Sequence, residues 1–383
     1  MGQREPSHVV LLAAAALLAA RLDPSRAQGA LPPGQPEALR RELGGALDVF
    51  DRGGRWKDTD SAILGWSCGQ DLQALVYLHQ ATGERQWLER LFRYAETMFS
   101  NLTPNRDGFL SWRSRRYSRR QKEFDFAVHD GMVLMPISRA IELVKRDQAL
   151  EAAYGQRADK LLKIIETQLI PKWDKHWRET AQGGFLVFPT DPDFDPSGAT
   201  LPHNQYLPLG TVQLTLHRIT GKAIYRQRAA KMARFFKSCL RLVDERYEWN
   251  YWDAAGEWDK PWDKPEEKRP EDTGHGSLDI GFVLACAENG LVFTETDIKR
   301  FANTLLQAMW NGAPDQPTVG GYVNTKKPTR QSGNLQEWLL LCKVAPRVRQ
   351  VCEPIILAQG SLWAKAQLYS LWSEEAKGRP DGH

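Results

Sequence analysis

The residues with chemical potential in this chain gather in short clusters. His203, Asn204 and Tyr206 form one, and Arg269, Glu271, Asp272 and His275 form another. Histidine titrates near neutrality and can take or give a proton. Asparagine and arginine can hold a carboxylate and stabilise negative charge that develops beside it. Tyr206, with Tyr251 in reserve, is a candidate donor to a departing oxygen. A tyrosine acting as base would need its usual pKa of ~10 lowered by a cation such as Arg269. His129 with Asp130, and Asn334 with Gln336 and Glu337, repeat the layout of a polar cluster leading into an apolar helix. Helix starts expose backbone N–H groups that favour anions. Stacked helical hairpins would bring these openings to one end of a shared cavity. A duller role is available at each, since Asn204 and Asp130 also suit helix capping and Arg269 sits in a charged loop.

The elements that position these clusters are repetitive. Leu72 to His79, a break at Thr82 and Gly83, and Trp87 to Phe99 read as a helical hairpin, as do Val212 to His217, Thr220 and Gly221, and Tyr225 to Phe236. A glycine after the last apolar residue suits a helix C-cap. The first helix of a unit is apolar nearly all round, as in Leu278 to Ala287, whereas the second carries a polar face, as in Ala230 to Cys239. Helices apolar on every side are buried. An inner ring of buried helices inside an outer amphipathic ring accounts for both patterns, which predicts an all-α fold. The expected architecture is an (α/α) toroid of about six or seven hairpins, with short β-segments and aromatic loops at the rim.

The chain has 383 residues, 42% hydrophobic and 26% charged, which excludes a disordered chain and suits one large core. Arg4, the apolar run from Val9 to Ala20, and Ser25, Arg26 and Ala27 read as a secretory signal over residues 1–27. Residues 28–373 are expected to form the toroid domain and 374–383 a tail. The apolar run is too short to span a bilayer, so a secreted or periplasmic location is expected, with no membrane association after cleavage. Removal of the signal takes away three basic and two acidic side chains, lowering the formal charge from +4 to +3. Five cysteines make no disulfide framework, although Cys342 and Cys352 are close enough in sequence to pair. No CxxC or HExxH spacing occurs, so no metal and no cofactor is expected.

Charge and aromatics point to a partner. Arg113, Arg115, Arg116, Arg119, Arg120 and Lys122 are interleaved with Trp112 and Tyr117, a pattern that attracts polyanions. No nucleic-acid motif accompanies it, and an acidic polysaccharide is the expected partner. Among fourteen tryptophans, many fall in loops, where flat faces can stack on sugar rings. Trp66, Trp112, Arg116, His129, Asp130, Trp249, Tyr251, Glu271, Asp272 and Asn334 are therefore candidate substrate-binding residues.

The hairpin turns, buried inner helices and aromatic loops resemble the six-hairpin glycosidase and polysaccharide lyase superfamily. The segments Pro202 to Tyr206 and Arg269 to His275 look most like toroidal lyases that cleave alginate or glucuronan. Several such lyases place Asn directly before His, whereas here His203 precedes Asn204. The resemblance implies β-elimination on a uronic-acid polymer. Asn204 and Arg269 would neutralise the carboxylate, His203 or His275 would take the C5 proton, and Tyr206 would protonate the leaving oxygen. The competing readings are a glycoside hydrolase on the same toroid, with Asp130 and Glu271 or Asp272 as its acid–base pair, a uronate epimerase, and a noncatalytic glycan-binding toroid.

Overall fold

The computed structural model describes residues 34–118, 120–194, 196–263 and 268–378. The expected signal segment, residues 1–27, lies outside them. Twelve helices dominate the described residues. In chain order they are α1 (Gln35–Gly53), α2 (Gly69–Thr82), α3 (Arg85–Ser100), α4 (Ala127–Arg146), α5 (Gln148–Ile164) and α6 (His203–Thr220). They continue with α7 (Ala223–Cys239), α8 (Thr273–Glu288), α9 (Glu295–Asn303), α10 (Gln336–Leu340), α11 (Arg347–Gln359) and α12 (Leu362–Gly378). A short helical stretch from Ser61, with a π-turn over Leu64–Cys68, runs into α2.

The even-numbered helices form a closed inner ring. α2 packs on α4, α4 on α6, α6 on α8, α8 on α10, α10 on α12, and α12 returns to α2. The odd-numbered helices lie outside. The chain is therefore an (α/α) toroid. Its logic is visible in side-chain distribution: on α8 Leu278, Ile280, Phe282, Val283 and Cys286 are all buried, whereas on α9 burial is confined to a stripe of Asp297, Ile298, Phe301 and Ala302. Each large apolar side chain withdrawn from water contributes roughly 1.5–3 kcal/mol before conformational entropy is subtracted. One hydrophobic cluster runs from Leu39 on α1 to Trp372 on α12.

The hairpin repeat extends to the caps. Gly83 and Gly221 end α2 and α6 at φ +71° and +72°, where a side chain would be strained. Their N–H groups donate to the carbonyls of His79 (2.7 Å) and His217 (2.8 Å). The preceding Thr82 and Thr220 donate to Leu78 and Leu216 in the same manner, at 2.7 and 2.8 Å.

Three two-stranded antiparallel ribbons follow outer helices: β1 (Thr103–Pro104) with β2 (Leu110–Ser111), β3 (Trp177–Thr180) with β4 (Gly183–Leu186), and β5 (Arg241–Val243) with β6 (Arg246–Glu248). Trp177 faces Leu186, and Arg241 faces Glu248. Single bridges between Asn250 and Pro270, and between Asp272 and Tyr322, tie the loops together where α8 begins. The last helix continues to Gly378, past the expected end of the domain at residue 373. All five cysteines are free, so Cys342 and Cys352 are not paired. Among the described residues, no helix is long and apolar enough to cross a membrane.

Candidate active site

A cavity of about 860 Å³ opens at the end of the toroid where inner helices start. Of the residues singled out from sequence, Trp66, Arg116, His129, Asn204, Tyr251, His275 and Asn334 line it. They come from the turn before α2, the loop before α4, the loop that holds Tyr251 between residues 248 and 273, and the starts of α4, α6, α8 and α10, so the fold gathers groups far apart in sequence. Gln70, Tyr117, Gln205, Trp252, Trp262 and Arg330 join them. Among the described residues, no aspartate or glutamate lines this cavity.

His275 carries the most developed chemistry. Asp272 caps α8, its Oδ1 accepting from the N–H groups of Gly274 and His275 at 3.0 Å each. Its Oδ2 accepts from His275 Nδ1 at 2.6 Å. With Nδ1 so engaged, Nε2 is the ring nitrogen left for a ligand, and the side chain is 29% exposed. Burial works to raise the Asp272 pKa, but the hydrogen bond and charge of His275 outweigh it and hold the carboxyl below its ordinary value. The preceding Glu271 goes the opposite way: complete burial, with Asp279 and Asp272 nearby, pushes its pKa well up. Asn204 Nδ2 donates to Glu271 Oε2 at 3.3 Å, and the Asp272 backbone N–H donates to Oε1 at 2.8 Å. The adjacent carboxyls are thus shifted in opposite directions, both one layer behind the wall formed by Asn204 and His275.

Tyr251 borders His275, their ring centroids 5.6 Å apart. The Arg269 guanidinium lies 4.1 Å from its ring centroid, and its hydroxyl accepts from Gln205 Nε2 at 3.2 Å. Burial still raises the Tyr251 pKa, with Gln205 and Arg269 opposing it only in part. The phenol therefore stays protonated near neutrality, which removes the tyrosine-as-base option at this position. Across the cavity, His129 Nδ1 pairs with Ser61 Oγ at 2.9 Å, while its buried Nε2 has no partner. Burial pushes its pKa down to about 3, so it is neutral. Trp66 stands between the two imidazoles, 5.8 Å from His129 and 6.0 Å from His275 by ring centroids.

Other sequence candidates are placed elsewhere. His203 is 1% exposed and does not line the cavity: its ring packs on Phe235 and Phe236, with Nδ1 paired to Tyr206 and Nε2 to Asp253. Tyr206 is fully buried, and burial raises its pKa further. Neither reaches a substrate in the cavity. Trp112 and Trp249 are interior packing, their indole N–H groups donating to Met98 O (2.8 Å) and Asp279 Oδ2 (2.9 Å). Asp130 is buried against Lys172 Nζ (2.8 Å) and the Trp173 indole N–H (2.8 Å) and does not line the cavity.

Of the basic run, Arg119 lies outside the described residues. Arg113 and Arg115 pair with Glu123, Arg120 with Asp193, and Lys122 with Asp191 and Asp193. Arg116 has no ion pair among the described residues and lines the cavity. Trp252 and Trp262 belong to the loop tryptophans expected to stack on sugar, whereas Lys172 and Arg330 carry no sequence signal of their own. Nothing in the sequence separates Arg330 from a solvated surface arginine.

No family model and no curated protein matches the chain. Solved structures do. An inactive variant of the alpha-1,6-mannanase GH76A of Salegentibacter sp. HEL1_6, altered at two consecutive aspartates and bound to alpha-1,6-mannotetrose, superposes with a TM-score of 0.51 at 12% identity, covering 82% of this chain and 84% of that one. Another structure of that mannanase gives a TM-score of 0.47 at 12% identity, over 90% and 84% of the two chains. A family 76 glycoside hydrolase from a bovine Bacteroides thetaiotaomicron strain gives 0.49 at 11%, over 82% and 69%. The match at a TM-score of 0.51 corrects the expectation of a polysaccharide lyase on glucuronan or alginate: the toroid matched there is a glycoside hydrolase. The inward burial of His203 and Tyr206 removes two residues on which elimination depended. What the likeness establishes for this chain is the fold, an (α/α) toroid of the kind found in family 76 glycoside hydrolases.

Proposed function

We propose that the protein is an exported glycoside hydrolase that cleaves a glycan in the toroid cavity. The observation that carries this reading is the His275–Asp272 pair, which offers one imidazole nitrogen to an aromatic-walled cavity at the helix starts. His275 Nε2 gives its proton to the departing glycosidic oxygen, while the ionised Asp272 stabilises the imidazolium and fixes its orientation. As the C–O bond breaks, water adds its oxygen to the anomeric carbon, and the proton it loses returns to His275 Nε2 and restores the imidazolium. Trp66, Trp252 and Trp262 supply faces on which sugar rings stack.

Arg116 and Arg330 line the cavity without an ion-pair partner among the described residues, which supports a glycan bearing acidic groups. This differs from the mannotetrose bound by the matching mannanase. The test is a panel of neutral mannans and acidic glycans incubated with the purified protein, read by reducing-end release and ultraviolet absorbance together. Hydrolysis gives new reducing ends without an unsaturated chromophore. Release from neutral mannans alone would reject the acidic substrate, and no release from any glycan would reject hydrolysis.

A further inference from the structure

The cluster around His203 has no part in the proposed hydrolysis, yet three side chains of metal-binding type converge there. His203 opens α6, Cys239 is the last residue of α7, and Asp253 lies in the loop after β6. One ligand-type atom from each lies within 4.8 Å of the other two. His203 Nε2 is 3.1 Å from Asp253 Oδ2. A single ring N–H cannot serve both a carboxylate and a sulfur well, whereas one cation can take a lone pair from each of the three atoms.

The surroundings orient these ligands. His203 Nδ1 is 2.9 Å from Tyr206 Oη, so Nδ1–H can donate to the phenol oxygen and leave the Nε2 lone pair for an ion. Asn250 Nδ2 donates to Asp253 Oδ1 at 2.8 Å, leaving Oδ2 toward the cluster, and Arg241 in turn donates to Asn250 Oδ1 at 3.1 Å. Phe235 and Phe236 wall one side. Cys239 sits at a helix C-terminus, where the peptide dipole favours positive charge. Cys239 and Asp253 are both partly exposed, so an ion can enter and water can complete its shell.

We infer that His203, Cys239 and Asp253 form a zinc site that fastens the start of α6 and the end of α7 to the loop after β6. Thiolate and imidazole ligands select zinc over magnesium or calcium, and three protein ligands plus one water satisfy its tetrahedral preference. The thiolate and carboxylate together balance the dication. The site is separate from the His275–Asp272 pair, and its existence does not depend on the hydrolase reading.

The test uses the full chain, stripped with a chelator and then titrated with zinc or, for a visible signature, cobalt(II). One equivalent of zinc is expected to bind and raise the Tm. Cobalt is expected to give tetrahedral d–d bands and a thiolate charge-transfer band, lost in Cys239→Ser and kept in Cys342→Ser. Tyr206→Phe, which removes only the oxygen behind the imidazole, is expected to weaken binding about 10- to 100-fold. Asp253→Asn gives a second variant at an accessible loop position, with at least about a tenfold loss. Absence of stoichiometric uptake by a protein whose Cys239 thiol is reduced would overturn the inference. So would a cobalt spectrum unchanged by Cys239→Ser, or one abolished by Asp272→Asn instead.

Discussion

His203 and His275 open consecutive inner helices, and each holds an aspartate, at 3.1 Å and 2.6 Å. In isolation the two pairs look interchangeable. They differ in access: His203 is turned onto the aromatic side chains of α7, with both ring nitrogens engaged inside the protein, whereas His275 keeps one nitrogen for the cavity. An imidazole–carboxylate pair is thus a fitting both for anchoring loops and for handling protons, and what decides between them is which side of the helix start faces solvent-filled space.

The sharpest way to break this contrast is substitution at both positions. His275→Ala is expected to lower kcat by about a hundred- to ten-thousand-fold while leaving Tm nearly unchanged, the range for losing one general acid–base group. Asp272→Asn is expected to lower kcat as well, and also to cost some stability, since it caps α8. His203→Gln is expected to do the reverse, lowering Tm with kcat of the folded protein kept within about threefold. Equal losses of activity at both histidines, in folded proteins, would remove the distinction.

A second prediction sharpens the division between wall and interior. Asp130, although adjacent to the cavity-lining His129, is interior, and Asp130→Ala leaves Lys172 buried beside only the more distant Asp125, at 3.7 Å. Stability is expected to fall by about 3–5 kcal/mol, measured by chemical denaturation. A loss of activity without loss of stability would instead place Asp130 in the chemistry. Smaller effects are expected at the lip. Arg116→Ala and Arg330→Ala should each raise KM for an acidic glycan by about tenfold, the ~1.4 kcal/mol scale of one charge-assisted contact. Arg115→Ala, whose guanidinium is already paired with Glu123, should change KM little.

A further effect, read only as pH is varied, concerns His129. Burial holds its folded pKa at about 3, below the ~6.5 of an unfolded histidine. Between those values the unfolded chain binds the proton and the folded one does not. This residue therefore contributes stability that is complete above pH ~6.5 and lost as pH falls toward 3. His129→Gln is expected to flatten the stability profile by that contribution, read by calorimetry across this window; an unaltered slope would mean that the imidazole is not held neutral.

The toroid was legible because its repeat is written in residues with few alternatives: Thr-Gly at the helix ends, apolar side chains all round the inner helices, one apolar stripe on the outer ones. The address of the site was legible for the same reason, since inner helix starts must share an end of the ring. What sequence did not reveal was rotation about those starts. Asn204 and His203 are neighbours, yet one lines the cavity and the other is turned away, a choice set by the packing of α6 on α7. Trp112 and Trp249 show the same limit, because an indole in a loop can stack on a sugar or close the core. Partners distant in the chain were equally hidden: Lys172 for Asp130, and Cys239 and Asp253 for His203. The lyase expectation grew from residue types that suit elimination, but two of them, His203 and Tyr206, are committed to the interior.

The most direct measurement is glycan cleavage in heavy-oxygen water, with products analysed by mass spectrometry for wild type and His275→Ala. Hydrolysis predicts one heavy oxygen at each new reducing end, no unsaturated sugar, and loss of this product in the variant while its Tm is retained. Cleavage that yields an unsaturated end with no heavy oxygen, or that persists at wild-type rate without the His275 imidazole, would contradict the account.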